Sequence, residues 1–307
     1  MAHGSPADEQ SSAFEDSFTK VNGIRLHYVA AGKGPLILFL HGFPEFWYEW
    51  KNQLSEFRKD HRAVAPDLRG YNLSEKPESL DQYEMNVLVE DVRALANDLS
   101  PGRQFILVGH DWGGVVAWVF AMTHPEMLEK LVIINAPHPG IFGRLLASDP
   151  GQQQASQYML LFRSDQAEKT LADNNYATLV NIVLGDGLKK GVFKEEDKAA
   201  YLKAWSQPGA LTGGLNYYRA NRVGPPSPGG TSSSGNFAAN PAQLHVSVPT
   251  LVIWGEKDTA LLPQNLDGLD QFVPHLTIRR ITDATHWVIH EKAAEVNGYI
   301  RNFLTAR

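Results

Sequence analysis

The chain has 307 residues, of which 43% are hydrophobic and 20% charged, a composition that excludes a disordered chain, a collagen or a coiled coil. Its formal net charge is −6 at pH 7 and no run of basic residues is longer than two, so we expect no nucleic-acid partner. The absence of cysteine excludes disulfides, thiolate metal sites and a cysteine nucleophile.

Residues 1–16 are expected to form a flexible tail, because they have neither the cationic start nor the apolar centre of a signal peptide. The longest strongly apolar, uncharged run spans residues 112–122, well short of the ~20 residues that cross a membrane. We therefore expect no membrane association and a cytoplasmic location. The sequence does not distinguish a monomer from a homodimer.

Alternating strand and helix patterns follow the tail. Residues 23–29 look like one strand of a hairpin, and helical periodicity is present at 83–99 and 291–304. Continuous apolar runs, typical of strands buried on both faces, occur at 35–40, 63–66, 105–108, 131–134, 250–254 and 276–281. This alternation predicts an α/β fold with a mostly parallel central sheet flanked by helices.

The alternation is interrupted in the middle of the chain. Between residues 137 and 241 the sequence shows only helical stretches, such as 152–162 and 195–206, and a breaker-rich run at 224–236 that is typical of a flexible loop. We interpret residues 137–241 as an inserted all-helical cap. Residues 17–136 and 242–307 would then form one catalytic domain.

A short turn carries the first candidate catalytic residue. Residues 109–113 (GHDWG) follow an apolar strand and open a helix, in the small–x–nucleophile–x–small order of the nucleophile elbow of α/β-hydrolase folds. The central residue is Asp111, not serine. A carboxylate is ionised at pH 7 and can attack an sp³ carbon, leaving an alkyl–enzyme ester that water must cleave. The alternative is an aspartate that only caps the helix.

The acid and the base follow in the order that this fold requires, after the nucleophile. Asp258 follows the strand at 250–254 and is predicted to orient His286, which follows the last strand and would activate water. Glu256 is the competing acid. The backbone N–H groups of Phe43 and Trp112 are predicted to form the oxyanion hole.

A metal site is not expected. His286 and His290 are four residues apart, as metal-binding histidines on a helix can be. Trp287 stands where a zinc-protease helix carries glutamate, however, and no third ligand is evident.

Several motifs together resemble the soluble, bacterial-type epoxide hydrolases of the α/β-hydrolase fold. They are HGFPEFWY at 41–48, DLRGY at 67–71, GHDWGG at 109–114, NAPHP at 135–139 and ATHW at 284–287. The resemblance extends from about residue 18 to 303. It implies that a small-molecule epoxide is hydrolysed by water to a vicinal diol through an ester on Asp111, without a cofactor.

The resemblance also implies two cap tyrosines that protonate the epoxide oxygen. Tyr158 matches the first, and Tyr218, directly before Arg219, matches the second; Tyr217 is the alternative in register, and both could instead be packing aromatics. No role beyond hinge or pocket wall is assigned to His138. The predicted pocket, suited to apolar or aromatic epoxides, consists of His41, Phe46, Trp47, Met159, Leu160, Phe162 and Trp287.

Two other function classes remain as alternatives. Haloacetate dehalogenases would need an arginine where Trp112 stands and a His-Trp pair where Met159 and Leu160 stand, and haloalkane dehalogenases often have asparagine where Phe43 stands. A ligand-binding homologue without catalysis typically has a serine triad or an incomplete one. The motifs therefore favour epoxide hydrolysis.

Overall fold

The computed structural model describes residues 14–226, 233–234 and 244–306. Residues 1–13 of the expected tail, most of the expected loop at 224–236 and the expected cap end at 241 lie outside the described residues. The last two residues of the predicted tail are not part of a tail. Glu15 and Asp16 belong to the first strand, where they pair with Ala30 and Val29 of the second.

The strands of the described residues fall into one large sheet and one short ladder. They are β1 (Glu15–Val21), β2 (Ile24–Ala31), β3 (Leu36–Leu40), β4 (Arg62–Pro66), β5 (Phe105–His110), β6 (Leu128–Ile134), β7 (Val223–Gly224), β8 (Ser233–Ser234), β9 (Thr250–Gly255) and β10 (Leu276–Ile281). The 8-stranded sheet has the order β1-β2-β4-β3-β5-β6-β9-β10. β2 pairs antiparallel with β1 and β4, and the other neighbours are parallel.

The α-helices of the described residues are placed between these strands. They are α1 (Lys51–Phe57), α2 (Met85–Leu99), α3 (Asp111–Thr123), α4 (Pro139–Ser148), α5 (Pro150–Ala155), α6 (Tyr158–Arg163), α7 (Ala167–Leu179), α8 (Gly185–Lys190), α9 (Glu195–Trp205), α10 (Ala210–Asn221), α11 (Val288–Glu291) and α12 (Ala293–Thr305). None of the described helices is long and apolar enough to span a membrane.

Helices cover both faces of the sheet, as its fully apolar strands require. On one face, Leu54 of α1 and Val296 of α12 belong to a core cluster with the strand residue Phe39. On the other face, Leu88 of α2 and Val116 of α3 belong to the larger cluster that also includes the helices between β6 and β9. A mostly parallel sheet flanked by helices confirms the predicted fold class.

The segment between β6 and β9 contains α4 to α10 and is not all-helical as predicted. β7 and β8 pair antiparallel over two residues, a ladder too short for sequence periodicity to reveal. Helix α9 lies against the loop after β3: the Trp205 indole N–H donates to the Pro44 carbonyl at 2.6 Å, and the Tyr48 hydroxyl donates to Asp197 at 2.8 Å. The division into a catalytic domain and a cap stays a prediction.

The carboxyl ends of β5, β6, β9 and β10 meet at one edge, because these neighbouring strands are parallel. Asp111 directly follows β5 and Asn135 directly follows β6, while Asp258 and His286 lie shortly after β9 and β10. In open α/β sheets, ligands bind at this edge. The topology therefore gathers the candidate catalytic residues.

Candidate active site

The turn between β5 and α3 is too tight for side chains at its glycines. A Cβ added to Gly109 would lie 2.5 Å from the Gly113 carbonyl oxygen, and one added to Gly113 would lie 2.5 Å from the His41 carbonyl oxygen. Asp111, between them, has a left-handed backbone with φ of +47°. Such a conformation costs a non-glycine residue about 1–3 kcal/mol, so the packing around the turn must hold it in place.

The two carboxylate oxygens of Asp111 have different surroundings. Oδ1 accepts a hydrogen bond from the Phe43 backbone N–H at 2.8 Å, and the Trp112 backbone N–H is a second donor to the carboxylate. Oδ2 lies 3.8 Å from Nε2 of His286. Burial raises the pKa of Asp111 above its ordinary value, although His286 and the two N–H groups oppose this shift. The turn thus presents Oδ1 to the Phe43 N–H and Oδ2 to a histidine.

His286 and Asp258 form a close pair. His286 Nδ1 lies 2.7 Å from Asp258 Oδ2, and Oδ1 of Asp258 accepts from the backbone N–H groups of Ala260 and Leu261 at 2.8 and 2.9 Å. Burial opposes the charged form of His286, yet Asp258 and Asp111 raise its pKa to about 9. His286 is therefore an imidazolium at neutral pH while both carboxylates are charged.

The competing acid lies outside this arrangement. Glu256 Oε1 accepts from Nη1 of Arg280 at 3.0 Å, and both side chains are partly exposed. The structure therefore pairs Asp258, not Glu256, with His286.

The two candidate tyrosines differ from their neighbour Tyr217. The Tyr217 hydroxyl donates to the Arg69 carbonyl at 2.9 Å, whereas Tyr218 lines the cavity above Asp111. The Trp112 side chain hydrogen-bonds Tyr218, and because an indole N–H can only donate, the Tyr218 hydroxyl keeps its own proton for another acceptor. Burial and the Asp111 charge raise the pKa of Tyr158 and of Tyr218 well above the ordinary value. Both phenols therefore remain protonated.

An apolar cavity adjoins Asp111. Its polar groups are few, and its walls come from α3, α4, α6, α10 and the loop after β9. The lining residues are Asp111, Trp112, Val115, Pro137, Pro139, Phe142, Met159, Tyr218, Val223 and Leu261. Such a cavity suits an uncharged, apolar ligand.

The predicted pocket overlaps with this lining at Met159. Three of the other predicted pocket residues build the loop after β3. The buried His41 accepts from the Leu68 N–H at 3.0 Å, while Phe46 stacks on Tyr48 and packs edge-on against Trp47. Apolar residues beside a strand end can either pack within a loop or line a pocket, and sequence alone does not distinguish these two roles.

The remaining predicted pocket residues lie near the candidate catalytic groups. The Phe162 ring lies 5.2 Å from both the Tyr158 and the Tyr218 rings, and Trp287 packs edge-on against His286 at 4.9 Å. Leu160 lies beside Gly224 of β7. Phe162 and Trp287 thus contact candidate catalytic side chains, and none of these three residues appears in the lining of the described cavity.

A buried acidic cluster beneath the site was missed by the sequence analysis. His110 Nε2 lies 3.0 Å from the His286 carbonyl oxygen, and its Nδ1 lies 2.5 Å from Oε1 of Glu49. Oε2 of Glu49 accepts from the Gly42 N–H at 3.1 Å. Two acidic residues in the otherwise apolar run 42–50 were the available signal. The cluster thus links the loop after β3 at Gly42, the turn at Asp111 and the loop after β10 at His286.

This cluster could in principle hold a cation, since ligand atoms of Glu45, Glu49 and His110 lie within 4.8 Å of one another. Two ligands of one ion with bonds of about 2.0–2.2 Å would lie roughly 3 Å apart. The 2.5 Å between His110 Nδ1 and Glu49 Oε1 is shorter than that separation. Burial and the charge of Glu45 raise the pKa of Glu49 well above its ordinary value, which favours its protonated form.

His138 joins the two connections between the sheet and the segment from α4 to α10. Its Nε2 lies 2.9 Å from the Leu244 carbonyl oxygen, and its ring stacks on Phe272 at 4.7 Å. Burial lowers the pKa of His138 to about 4, so the ring is neutral. His138 is not among the residues that line the cavity beside Asp111, and a role as a hinge stays a prediction.

The family model for the alpha/beta hydrolase fold matches residues 35–293. The AB hydrolase superfamily protein YfhM of Bacillus subtilis is 41% identical over 94% of this chain and 96% of its own length. Epoxide hydrolase 3 of Xenopus tropicalis is 40% identical over 93% of this chain and 76% of its own length.

This chain is also similar to solved structures of epoxide hydrolases. The crystal structure of an epoxide hydrolase from Bacillus megaterium, in complex with an inhibitor, has a TM-score of 0.85 at 38% identity, over 94% of this chain and 100% of that one. A second structure, of a novel epoxide hydrolase from metagenomes of hot environments, has a TM-score of 0.82 at 37% identity, over 96% of this chain and 99% of that one.

Proposed function

The chain belongs to the epoxide hydrolases of the α/β-hydrolase fold, and we propose that it converts apolar and aromatic epoxides to vicinal diols through an ester on Asp111. One observation carries the proposal. The Asp111 carboxylate accepts from the backbone N–H groups of Phe43 and Trp112, and its Oδ2 faces His286, beside an apolar cavity that Tyr218 also lines. A nucleophile, its base and an acid thus meet at one cavity.

In the first step, Oδ2 of Asp111 attacks an epoxide carbon and the C–O bond to the ring oxygen breaks. The Phe43 N–H holds Oδ1, and Oδ2, which faces His286, is the oxygen that attacks. Tyr158 and Tyr218 donate hydrogen bonds to the ring oxygen, and one phenol transfers its proton as the oxygen becomes an alkoxide. The raised pKa of each phenol keeps the proton in place until then.

Ester formation also changes the proton affinity of His286. The ester has no charge, so one of the two carboxylates that raise the pKa of His286 is removed and that pKa falls. The imidazolium then releases its proton, which replaces the one that the tyrosine gave up. The first step thereby prepares the base for the second.

In the second step, neutral His286 takes a proton from water while the water oxygen attacks the ester carbonyl. Asp258 stabilises the imidazolium that forms. The negative charge develops on Oδ1, which already accepts from the Phe43 N–H, and the Trp112 N–H is a second donor to the same group. Collapse of the tetrahedral intermediate releases the diol and restores the Asp111 carboxylate.

Isotope labelling tests the covalent step. In a single turnover of styrene oxide in H₂¹⁸O, the diol should take its new oxygen from Asp111 and contain no ¹⁸O, and the label should appear in the Asp111 carboxylate. Asp111→Ala should abolish turnover. The appearance of ¹⁸O in the first diol formed would indicate direct attack by water and would contradict the ester mechanism. Equal turnover rates for wild type and Asp111→Ala would show that Asp111 is not the nucleophile.

The cytoplasmic location and the monomeric or homodimeric state stay predictions from the sequence. Size-exclusion chromatography with light scattering would distinguish a monomer from a homodimer.

A further inference from the structure

Asn135, directly after β6, has a role that the preceding mechanism does not use. It is fully buried and has a left-handed backbone with φ of +38°. Its Oδ1 accepts from the Gly255 N–H at 2.8 Å, and its Nδ2 lies 3.3 Å from the Gly255 carbonyl oxygen. The side chain thus continues the β6–β9 ladder one residue beyond its last backbone pair, Ile134 with Ile253.

The same amide group reaches the candidate acid. Asn135 Nδ2 donates to Oδ2 of Asp258 at 2.8 Å, and this is the oxygen that also lies 2.7 Å from His286 Nδ1. Oδ1 of Asp258 is held separately by two backbone N–H groups. Asn135 therefore holds the same oxygen as the histidine, through a contact that persists whatever the protonation state of His286.

We propose that Asn135 is the positioning residue of the water-attack step: it holds Asp258 in the orientation in which that carboxylate directs the His286 ring at the ester. The inference rests on the proposed function. It concerns one half of the reaction only, because the groups that act in ester formation, Asp111 and the two tyrosines, are held by other contacts.

The chain contains a second Asn–Asp–His arrangement with the same geometry. Asn72 is buried and left-handed with φ of +36°, its Nδ2 donates to Asp67 Oδ2 at 2.8 Å, and His27 Nδ1 lies 2.6 Å from that same oxygen. This arrangement is not in contact with Asp111 through any of these bonds. It provides a control in which the same kind of contact is removed outside the candidate triad.

The test compares Asn135→Gly with Asn72→Gly. Glycine adopts a positive φ without strain, so each substitution removes the amide contacts and leaves the backbone acceptable. Rapid mixing with styrene oxide, acid quenching and intact-protein mass spectrometry give the rates at which the ester forms and disappears.

For Asn135→Gly we expect ester hydrolysis to slow by about ten- to hundredfold, the range for a hydrogen bond to a charged group, while ester formation changes by less than about threefold. The ester should accumulate. Asn72→Gly should change neither rate. Both glycine variants should lose thermal stability, because each loses buried hydrogen bonds. The inference would be overturned if Asn135→Gly slowed ester formation and ester hydrolysis equally, or slowed neither. It would also be overturned if Asn72→Gly slowed only ester hydrolysis.

A second measurement does not depend on the substrate. The Nδ1 proton of His286, identified by its loss in His286→Gln, should exchange faster with water in free Asn135→Gly than in free wild type or Asn72→Gly. An unchanged exchange rate would overturn the inference even if no epoxide tested were turned over. If wild type forms no ester on Asp111, the proposed function fails instead. Asn135→Ser, whose side chain is too short to reach both partners, replaces the glycine variant if that one does not fold.

Discussion

At the scale of single residues, the hydroxyl partner separates two tyrosines that are neighbours in the chain. Tyr217 is buried with its hydroxyl on the Arg69 carbonyl, whereas Tyr218 receives a hydrogen bond from Trp112 and lines the cavity. Consecutive helical residues point about 100° apart, so a register error of one residue would exchange a packing role for a chemical one. The sequence left this register open.

Substitution by phenylalanine should affect the reaction rate at Tyr218 and the stability at Tyr217. Tyr218→Phe removes a proton donor, so we expect ester formation to slow by about a hundredfold or more with little change in thermal stability. Tyr217→Phe leaves the buried Arg69 carbonyl without its donor and should cost about 1–3 kcal/mol of unfolding free energy, with the rate of ester formation unchanged. Rapid-quench kinetics and urea titration measure the two quantities. A larger kinetic loss in Tyr217→Phe would reverse the assignment.

The residues found from sequence and those missed differ in how their roles are encoded. Asp111 and His286 could be predicted because each lies at or shortly after the end of a strand pattern and belongs to a local motif. Asn135 and Glu49 act through contacts with residues distant in sequence, such as Asn135 with Asp258 and Glu49 with His110. No local pattern encodes those contacts. The available hint at Asn135 was an asparagine at a strand end, since asparagine is enriched in left-handed backbone.

At the scale of elements, the position of α10 determines where Tyr218 lies. A Cβ added to Gly213 of this helix would lie 2.6 Å from Cα and 2.8 Å from C of Gly70, in the loop after β4. Gly70 itself has a left-handed φ of +88°. The helix therefore rests on the core by direct backbone contact, and any added volume must move it.

Gly213→Ala should displace α10 and with it Tyr218. We expect a loss of about 1–3 kcal/mol of unfolding free energy, as for other overpacked sites, together with slower ester formation. Gly298→Ala in α12 is the control, because a Cβ there meets nothing within 4 Å. It should gain about 0.5–1 kcal/mol from helix propensity and leave both reaction steps unchanged. Retention of wild-type stability and rate in Gly213→Ala would show that the contact is not rigid.

Sequence periodicity predicted the sheet better than the segment from α4 to α10. Buried parallel strands are continuous apolar runs, so β3, β5 and β9 were found nearly to the residue. The helices between β6 and β9 are short, and their apolar residues face both the core and one another. The expected helical stretch at 152–162 is accordingly two helices, α5 and α6, and the β7–β8 ladder was not anticipated.

At the scale of the whole molecule, folding brings ionisable groups from distant parts of the chain into one interior site. His286 lies between Asp111 and Asp258 with only 13% of its side chain exposed. In the unfolded chain these three groups are apart and hydrated. The proton affinity of His286 therefore differs between the two states, and global stability depends on pH through this site.

The stability of the wild type relative to His286→Gln should fall as the pH rises. The folded pKa of about 9 lies above the ordinary value of 6.5, so the stabilisation by the protonated ring is complete below 6.5 and is lost as the pH rises through 9. The difference in unfolding free energy should shrink by about 2–3 kcal/mol between pH 7 and 9.5, at 1.36 kcal/mol for each unit between the two pKa values. Urea titrations at intervals over this range measure it.

His138→Gln is the matched control for this dependence. His138 is also buried, but its folded pKa is lowered to about 4, so above pH 7.5 the ring is neutral in both the folded and the unfolded chain. The stability difference between wild type and His138→Gln should stay constant from pH 7.5 to 9.5 because neither state then binds or releases a proton at this residue. A constant difference for His286→Gln as well would mean that the ring is neutral in the folded enzyme at pH 7. The base would then be ready before the ester forms, and the loss of the Asp111 charge would not be what releases its proton.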